Sequence, residues 1–129
     1  MRPMFESMPA GGNVLVQGAS RGIGLEFVRQ ALASPRVGHV VATCRAPATA
    51  TALDALRATA AGRLTVLPLD VSEESSVAGA ARAAAQTVPR LHLVVNCAGV
   101  LHDAASNLRP EKRLADVRAD SLARSFAVN

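Results

Sequence analysis

Residues 13–24, NVLVQGASRGIG, decide the fold. Asn13 to Gln17 is a short β-branched run that stops at a glycine-rich turn, and from Gly22 to Ala33 the residues Ile23, Phe27 and either Val28 or Leu32 recur at helical spacing. The stretch reads strand, tight turn, helix. Glycines at such a junction let the backbone approach a pyrophosphate, while the helix N-terminus presents unpaired N–H groups. The spacing from Gly18 through Gly22 to Gly24 is GxxxGxG rather than GxGxxG, and the chain's single lysine, Lys112, is far from the turn, which removes a P-loop reading. Three glycines alone would also suit a tight turn that holds no ligand.

Outward from this unit the pattern repeats. His39 to Cys44 (HVVATC) predicts a second strand after the break at Ser34-Pro35, and Ala48 to Ala61 a second helix that stops before Gly62. Leu64 to Leu69 (LTVLPL) predicts a third strand, where Pro68 removes a ladder donor and points to a sheet edge. Ser72 is expected to cap a third helix whose first turn carries Glu73 and Glu74 and which ends near Val88, before Pro89. Leu91 to Asn96 (LHLVVN) predicts a fourth strand, residues 98–113 a loop, and Leu114 to Asn129 a last helix bearing Leu114, Val117, Leu122 and Phe126. Strict βαβ alternation implies an α/β, doubly wound Rossmann fold with a parallel sheet, here strands one to four, for which the order 3-2-1-4 is expected. Residues 1–12 are expected to form a flexible N-terminal tail and residues 13–129 one nucleotide-binding domain.

Composition narrows the function classes. The chain has 129 residues, half of them hydrophobic and 19% charged, which is globular, and no apolar run approaches the roughly 18 residues of a membrane span. The net charge of +4 could suggest a nucleic acid, but the basic residues are scattered and only three aromatics, Phe5, Phe27 and Phe126, are available to stack on bases. Neither a nucleic-acid nor a membrane partner is expected. His39, His92 and His102 are too dispersed for a metal site. Without a signal-peptide pattern or a disulfide framework, the expected compartment is cytoplasmic. Cys44 and Cys97 would end strands on either side of strand one, about 9.5 Å apart from two strand spacings. A disulfide tolerates about 7 Å, so both are expected to be free thiols.

Four motifs together carry a resemblance. GASRGIG (Gly18–Gly24) resembles the cofactor turn of the short-chain dehydrogenase/reductase family, with Gln17 where that family usually has threonine. Asp70-Val71 resembles its adenine-contacting aspartate, and Asn96-Cys97-Ala98-Gly99 its NNAG, with Cys97 in place of the second asparagine. Val128-Asn129 resembles the helix asparagine that comes first in the family's Asn, Ser, Tyr, Lys tetrad, which makes Asn129 the candidate catalytic residue. The stretches Arg109–Leu114 and Phe126–Asn129 are similar to the C-factor-like and sniffer-like carbonyl reductase branch. The resemblance implies cofactor contacts from Gly18, Ser20, Arg21, Gly22, Ile23, Gly24, Arg45, Asp70, Val71, Asn96, Ala98 and Gly99, with Cys97 near the nicotinamide. It also implies hydride transfer on a carbonyl or alcohol, and a homo-oligomeric complete form.

Charge at the end of strand two selects the cofactor. An acid there would hold a ribose 2'-hydroxyl, whereas Thr43-Cys44-Arg45 offers a guanidinium suited to a 2'-phosphate, with Arg21 as a second positive charge. NADP (NADPH) is therefore expected over NAD. The family's acid–base group is a tyrosine phenol, and this chain has no tyrosine. The 129 residues are accordingly expected to be an inactive fragment with an aggregation-prone edge on strand four. The alternative is a non-catalytic dinucleotide-binding or interaction module, or a redox sensor. A methyltransferase-like Rossmann domain would leave Arg45 and NCAG without a role.

Overall fold

A computed structural model describes residues 3–99, 115 and 118–129. They fall into two compact units, Met1–Cys97 and Ala98–Asn129. In the first, the elements run β1 (Gly12–Gln17), α1 (Gly22–Ala33), β2 (Val37–Cys44), a 3-10 turn (Pro47–Thr49), α2 (Thr51–Thr59), β3 (Leu64–Pro68), α3 (Glu74–Thr87) and β4 (Leu93–Asn96). The four strands form one parallel sheet in the order β3-β2-β1-β4. The Rossmann expectation holds, and Pro68 lies on an edge strand where a missing donor breaks no ladder.

Side chains alternate across the sheet, so each strand feeds two layers. Val14, Val16, Val40, Ala42 and Cys44 pack with Val28 and Ala31 of α1 and Leu53 of α2. On the other face Val41 packs with Ala84 of α3 and Val88, flanked by Leu15 and Leu67. Because β2 is covered on both sides, Val40 to Cys44 are all buried, which explains its unbroken apolar run.

Several expectations are corrected. Phe5 and Met8 are not part of a loose tail: they are 2% and 8% exposed and join the α1/α2 core, with the Met8 carbonyl accepting from Arg36 Nε at 2.8 Å. Helix 48–61 is interrupted, since Ala50 turns into the core at φ −83°, ψ 68° and separates the 3-10 turn from α2. α3 starts at Glu74 after Glu73, which makes no side-chain cap bond, and the Ser72 hydroxyl donates to Asp70 Oδ1. β4 starts at Leu93 rather than Leu91. His92 instead locks onto β1 laterally: its Nδ1 accepts from the Asn13 N–H at 2.9 Å and its own N–H donates to the Asn13 carbonyl at 2.9 Å.

In the second unit α4 spans Ala119–Val128, shorter than the expected 114–129, and begins beside an Arg118–Asp120 ion pair at 2.6 Å. Leu122 and Phe126 are exposed on it. The rest of the expected loop beyond Gly99, with His102 and the Arg109–Leu114 stretch, lies outside the described residues, as does Val117.

Arg63, which opens β3, donates to the carbonyls of Leu32 at 3.0 Å, Ser34 at 3.4 Å and Val37 at 2.7 Å. It thereby closes the exposed end of α1 onto the sheet. Near it, His39 Nε2 bonds Thr65 Oγ1 at 2.8 Å. Burial, and then the Arg63 charge, hold the His39 ring below the ordinary imidazole value of 6.5. The unfolded chain binds a proton near that value and the folded chain only at lower pH, so the stability from neutral His39 is complete above about 6.5 and is lost as pH falls through the folded value. The denaturant midpoint should drop between pH 7.5 and 5.5, and His39→Gln should reduce that drop.

Candidate functional site

Strands β1 to β4 end level with one another. Gln17 pairs with both Thr43 and Asn96, and Cys44 with Pro68, so the glycine turn, Arg45, Asp70 and Asn96 follow or end strands at the C-terminal edge of the sheet. β1 leads through α1 to β2 on one side, while β4 arrives on the other. The order in which the parallel strands are added therefore reverses at β1, and the carboxyl ends of the strands at such a switch point are where open α/β sheets take their ligands.

The glycine turn is shaped by two constraints. Gly18 and Gly22 have φ +76° and +58°, in the left-handed region that disfavours side chains. Gly24 is buried, and a Cβ there would overlap the Gly18 carbonyl oxygen and stand 2.9 Å from the Gly18 carbonyl carbon and 3.1 Å from Ala19 Cα. Its role is thus to let the first turn of α1 close on the strand end. α1 has no side-chain cap from Arg21 and no acid in its first turn, which leaves its N–H groups to an incoming anion. Arg21 and Gly22 are exposed, Ser20 is half-buried, and Ile23 is 74% exposed, an apolar side chain presented at the mouth.

A residue that sequence reasoning did not single out holds the turn. The Thr43 carbonyl accepts from both Gly18 N–H at 3.1 Å and Ala19 N–H at 2.9 Å. Arg45 follows two residues later, so the turn and the guanidinium are fixed to one strand end. The side chains of Arg21 and Arg45 make no ion pair or hydrogen bond among the described residues. Backbone pairing that continues past the strands is invisible to residue type, and no signal in the sequence marks Thr43.

Asp70 follows Leu69, whose N–H donates to the Cys44 carbonyl at 2.8 Å and extends the β2–β3 pairing past the strands. Its Oδ1 accepts from Ser72 N–H at 3.0 Å and Ser72 Oγ at 2.6 Å, and its own N–H donates to Ser76 Oγ at 2.9 Å. Val71 is half-buried next to it. Asn96 ends β4, and Cys97 N–H continues the ladder to the Gln17 carbonyl at 2.8 Å.

Both cysteines are free, and burial pushes the Cys44 thiol up, away from thiolate character. Ala98, Gly99 and Asn129 belong to the second unit. There a Cβ on Gly99 would lie 3.4 Å from Asn129 Oδ1, while Asn129 Nδ2 donates to Ser125 Oγ at 3.1 Å. Among the described residues no group of three metal-ligating side chains comes together, and no helix is long and apolar enough to cross a membrane.

Comparison with known proteins fits this geometry. The family model described as short chain dehydrogenase matches residues 12–129. The chain is similar to the NADPH-bound carbonyl reductase from chicken fatty liver, at 28% identity over 96% of this chain and 44% of that one, with a TM-score of 0.81. It is similar to the putative carbonyl reductase Sniffer of Caenorhabditis elegans, at 32% identity over 94% of this chain and 48% of that one, with a TM-score of 0.72. It also resembles the KRED1-Pglu enzyme, at 28% identity over 91% of this chain and 45% of that one, with a TM-score of 0.75. The chain spans less than half the length of each of these three. A comparison with curated protein sequences gave no match.

Proposed function

The chain belongs to the short-chain dehydrogenase family, and from that premise we propose that its sheet edge holds a nicotinamide dinucleotide, NADPH in preference to NADH. The complete protein would be an oxidoreductase acting on a small-molecule carbonyl or alcohol. The observation that carries this reading is the sheet edge where β1 lies between β2 and β4, with a helix N-terminus that has no side-chain cap, a turn closed by Gly24 and, among the described residues, no ion pair on the side chains of Arg21 and Arg45. The likeness to a carbonyl reductase bound to NADPH supports it.

The donor set suits the cofactor part by part. Gly18, Ser20, Arg21, Gly22, Ile23 and Gly24 would form the pyrophosphate side, with backbone N–H groups facing the anion. Arg45, assisted by Arg21, would hold the 2'-phosphate as a charge-assisted contact. Asp70 and Val71 would meet the adenine, and Asn96, Ala98 and Gly99 would continue the cleft. Asn129 would serve the catalytic centre of the complete enzyme, where the resemblance assigns its counterpart to positioning a water. When bound, the nicotinamide supplies the hydride chemistry, and the chain's own residues bind and orient it. The 129 residues contain no tyrosine, so binding without carbonyl-dependent turnover is the behaviour we assign to them.

Arg45→Ala tests the reading. Losing one charge-assisted contact should weaken NADPH roughly 10- to 100-fold and change NADH by less than about threefold. Titration of reduced-nicotinamide fluorescence with both cofactors measures it. An unchanged ratio of the two affinities would refute the assignment.

A further inference from the structure

We propose that His92 and Asn13 form a pH-sensitive latch at the entry to β4, closed while the His92 ring is neutral and opened when the ring takes up a proton. The latch stands at the opposite end of the sheet from the nucleotide site and does not depend on that reading. Leu91 and His92 precede β4 and have no ladder partners of their own, so the approach to the strand is set by Asn13 of β1. The Asn13 N–H donates to His92 Nδ1 at 2.9 Å, the His92 N–H donates to the Asn13 carbonyl at 2.9 Å, and Asn13 Nδ2 donates to the Arg90 carbonyl at 3.0 Å.

Of these three bonds only the first can titrate. A main-chain N–H can only donate, so the nitrogen it meets must keep its lone pair, and the contact assigns the neutral tautomer with the proton on Nε2. An imidazolium carries N–H on both nitrogens. It would set two donors against each other, and the ring would have to turn away from β1. Imidazole is the side chain that changes charge between about pH 5 and 8. His92 is exposed, so solvent protons reach it without any opening of the core.

The position of the latch gives it leverage. β4 has four residues and, among the described strands, pairs with β1 alone. A Cβ placed on Gly12 would stand 3.7 Å from His92 Cγ, so the ring lies over the start of β1. Across Asn13, its register partner on β2 is His39, whose Nε2 bonds Thr65 Oγ1 and whose charged neighbour is Arg63. The other charged side chains of the segments meeting at this corner are Arg90, just before His92, and Arg36, whose Nε donates to the Met8 carbonyl. Glu6 is the one acid of residues 3–12 and makes no ion pair among the described residues. No carboxylate is therefore in place to hold a charged His92 ring against β1.

The test is residue-level amide exchange on the full chain from pH 7.5 to 5.0, with each rate divided by its intrinsic rate to give a protection factor. Val16, inside β1, reports the opening of the sheet as a whole, including any loss that comes from His39. Relative to Val16, protection of the Asn13 amide should fall about fivefold towards pH 5.0. In His92→Asn the side-chain oxygen can accept the same N–H and does not titrate, so the relative protection should stay level across the range. In His92→Leu it should be low and level. Nitrogen NMR shifts of the unsubstituted His92 ring at pH 7.5 should place the proton on Nε2. Level relative protection of Asn13 in the unsubstituted chain overturns the proposal, as does a ring proton on Nδ1. An equal fall in His92→Asn also overturns it, because the titrating group would then be His39.

Discussion

Alanine at Gly24 should destabilise the chain by about 3 kcal/mol or more and abolish nucleotide binding. The three nearest atoms a Cβ would meet there are backbone, the Gly18 carbonyl and Ala19 Cα, so moving a side chain cannot relieve the overlap. Relief requires the turn to open, which breaks the paired donation of Gly18 and Ala19 to the Thr43 carbonyl. Two other glycines calibrate the effect. At Gly22 a Cβ meets nothing within 4 Å, but φ is +58°, so alanine should cost about 1–2 kcal/mol from the backbone alone. At Gly79, inside α3 with open space around it, alanine should stabilise by up to about 1 kcal/mol. Chemical denaturation of the three variants, with NADPH titration of each, gives the order; equal effects at Gly24 and Gly79 would contradict the closed turn.

The second large effect is expected in the core under α2. Leu53 is fully buried between that helix and the sheet, and α2 has only nine residues, so one side chain provides much of its attachment. Leu53→Ala should cost about 2–5 kcal/mol, the transfer of the lost methyl groups plus the cavity left behind. Leu56, half-buried on the same helix, should lose clearly less on the same substitution. Urea midpoints at constant slope measure both. A Leu53→Ala loss no larger than that of Leu56→Ala would mean that α2 is not anchored there.

What was legible in the sequence was whatever residue type and period encode. The apolar runs at Asn13–Gln17 and His39–Cys44, the glycine turn and the expected strand order 3-2-1-4 all appear in the structure with small shifts at the ends. The misreadings share a cause, which is that a side chain with two possible partners was given the local one. Ser72 was expected to cap a helix and is bound to Asp70. His92 was read into a strand and bonds the neighbouring strand through its ring. Phe5 and Met8 show no period, so nothing marked them as core. Arg63 carries no motif or period, yet it serves three carbonyls from distant positions. Within the candidate site, the residue types of the turn, Arg45 and Asp70 could be read directly, whereas the Thr43 carbonyl that holds the turn could not.

The place of β4 in the sheet also carries a kinetic meaning. β1 and β2 meet across a single helix, whereas the Asn13–His92 contact that seats β4 joins residues 79 positions apart, and β4 itself is only four residues long. Closing a loop about three times longer costs roughly 1 kcal/mol more in chain entropy, before any pairing compensates for it. The nucleation of the sheet therefore belongs to β1, α1 and β2, and β4 completes it late. The switch in strand order at β1 exists only once β4 has arrived, so the glycine turn is assembled early and its opposite wall late.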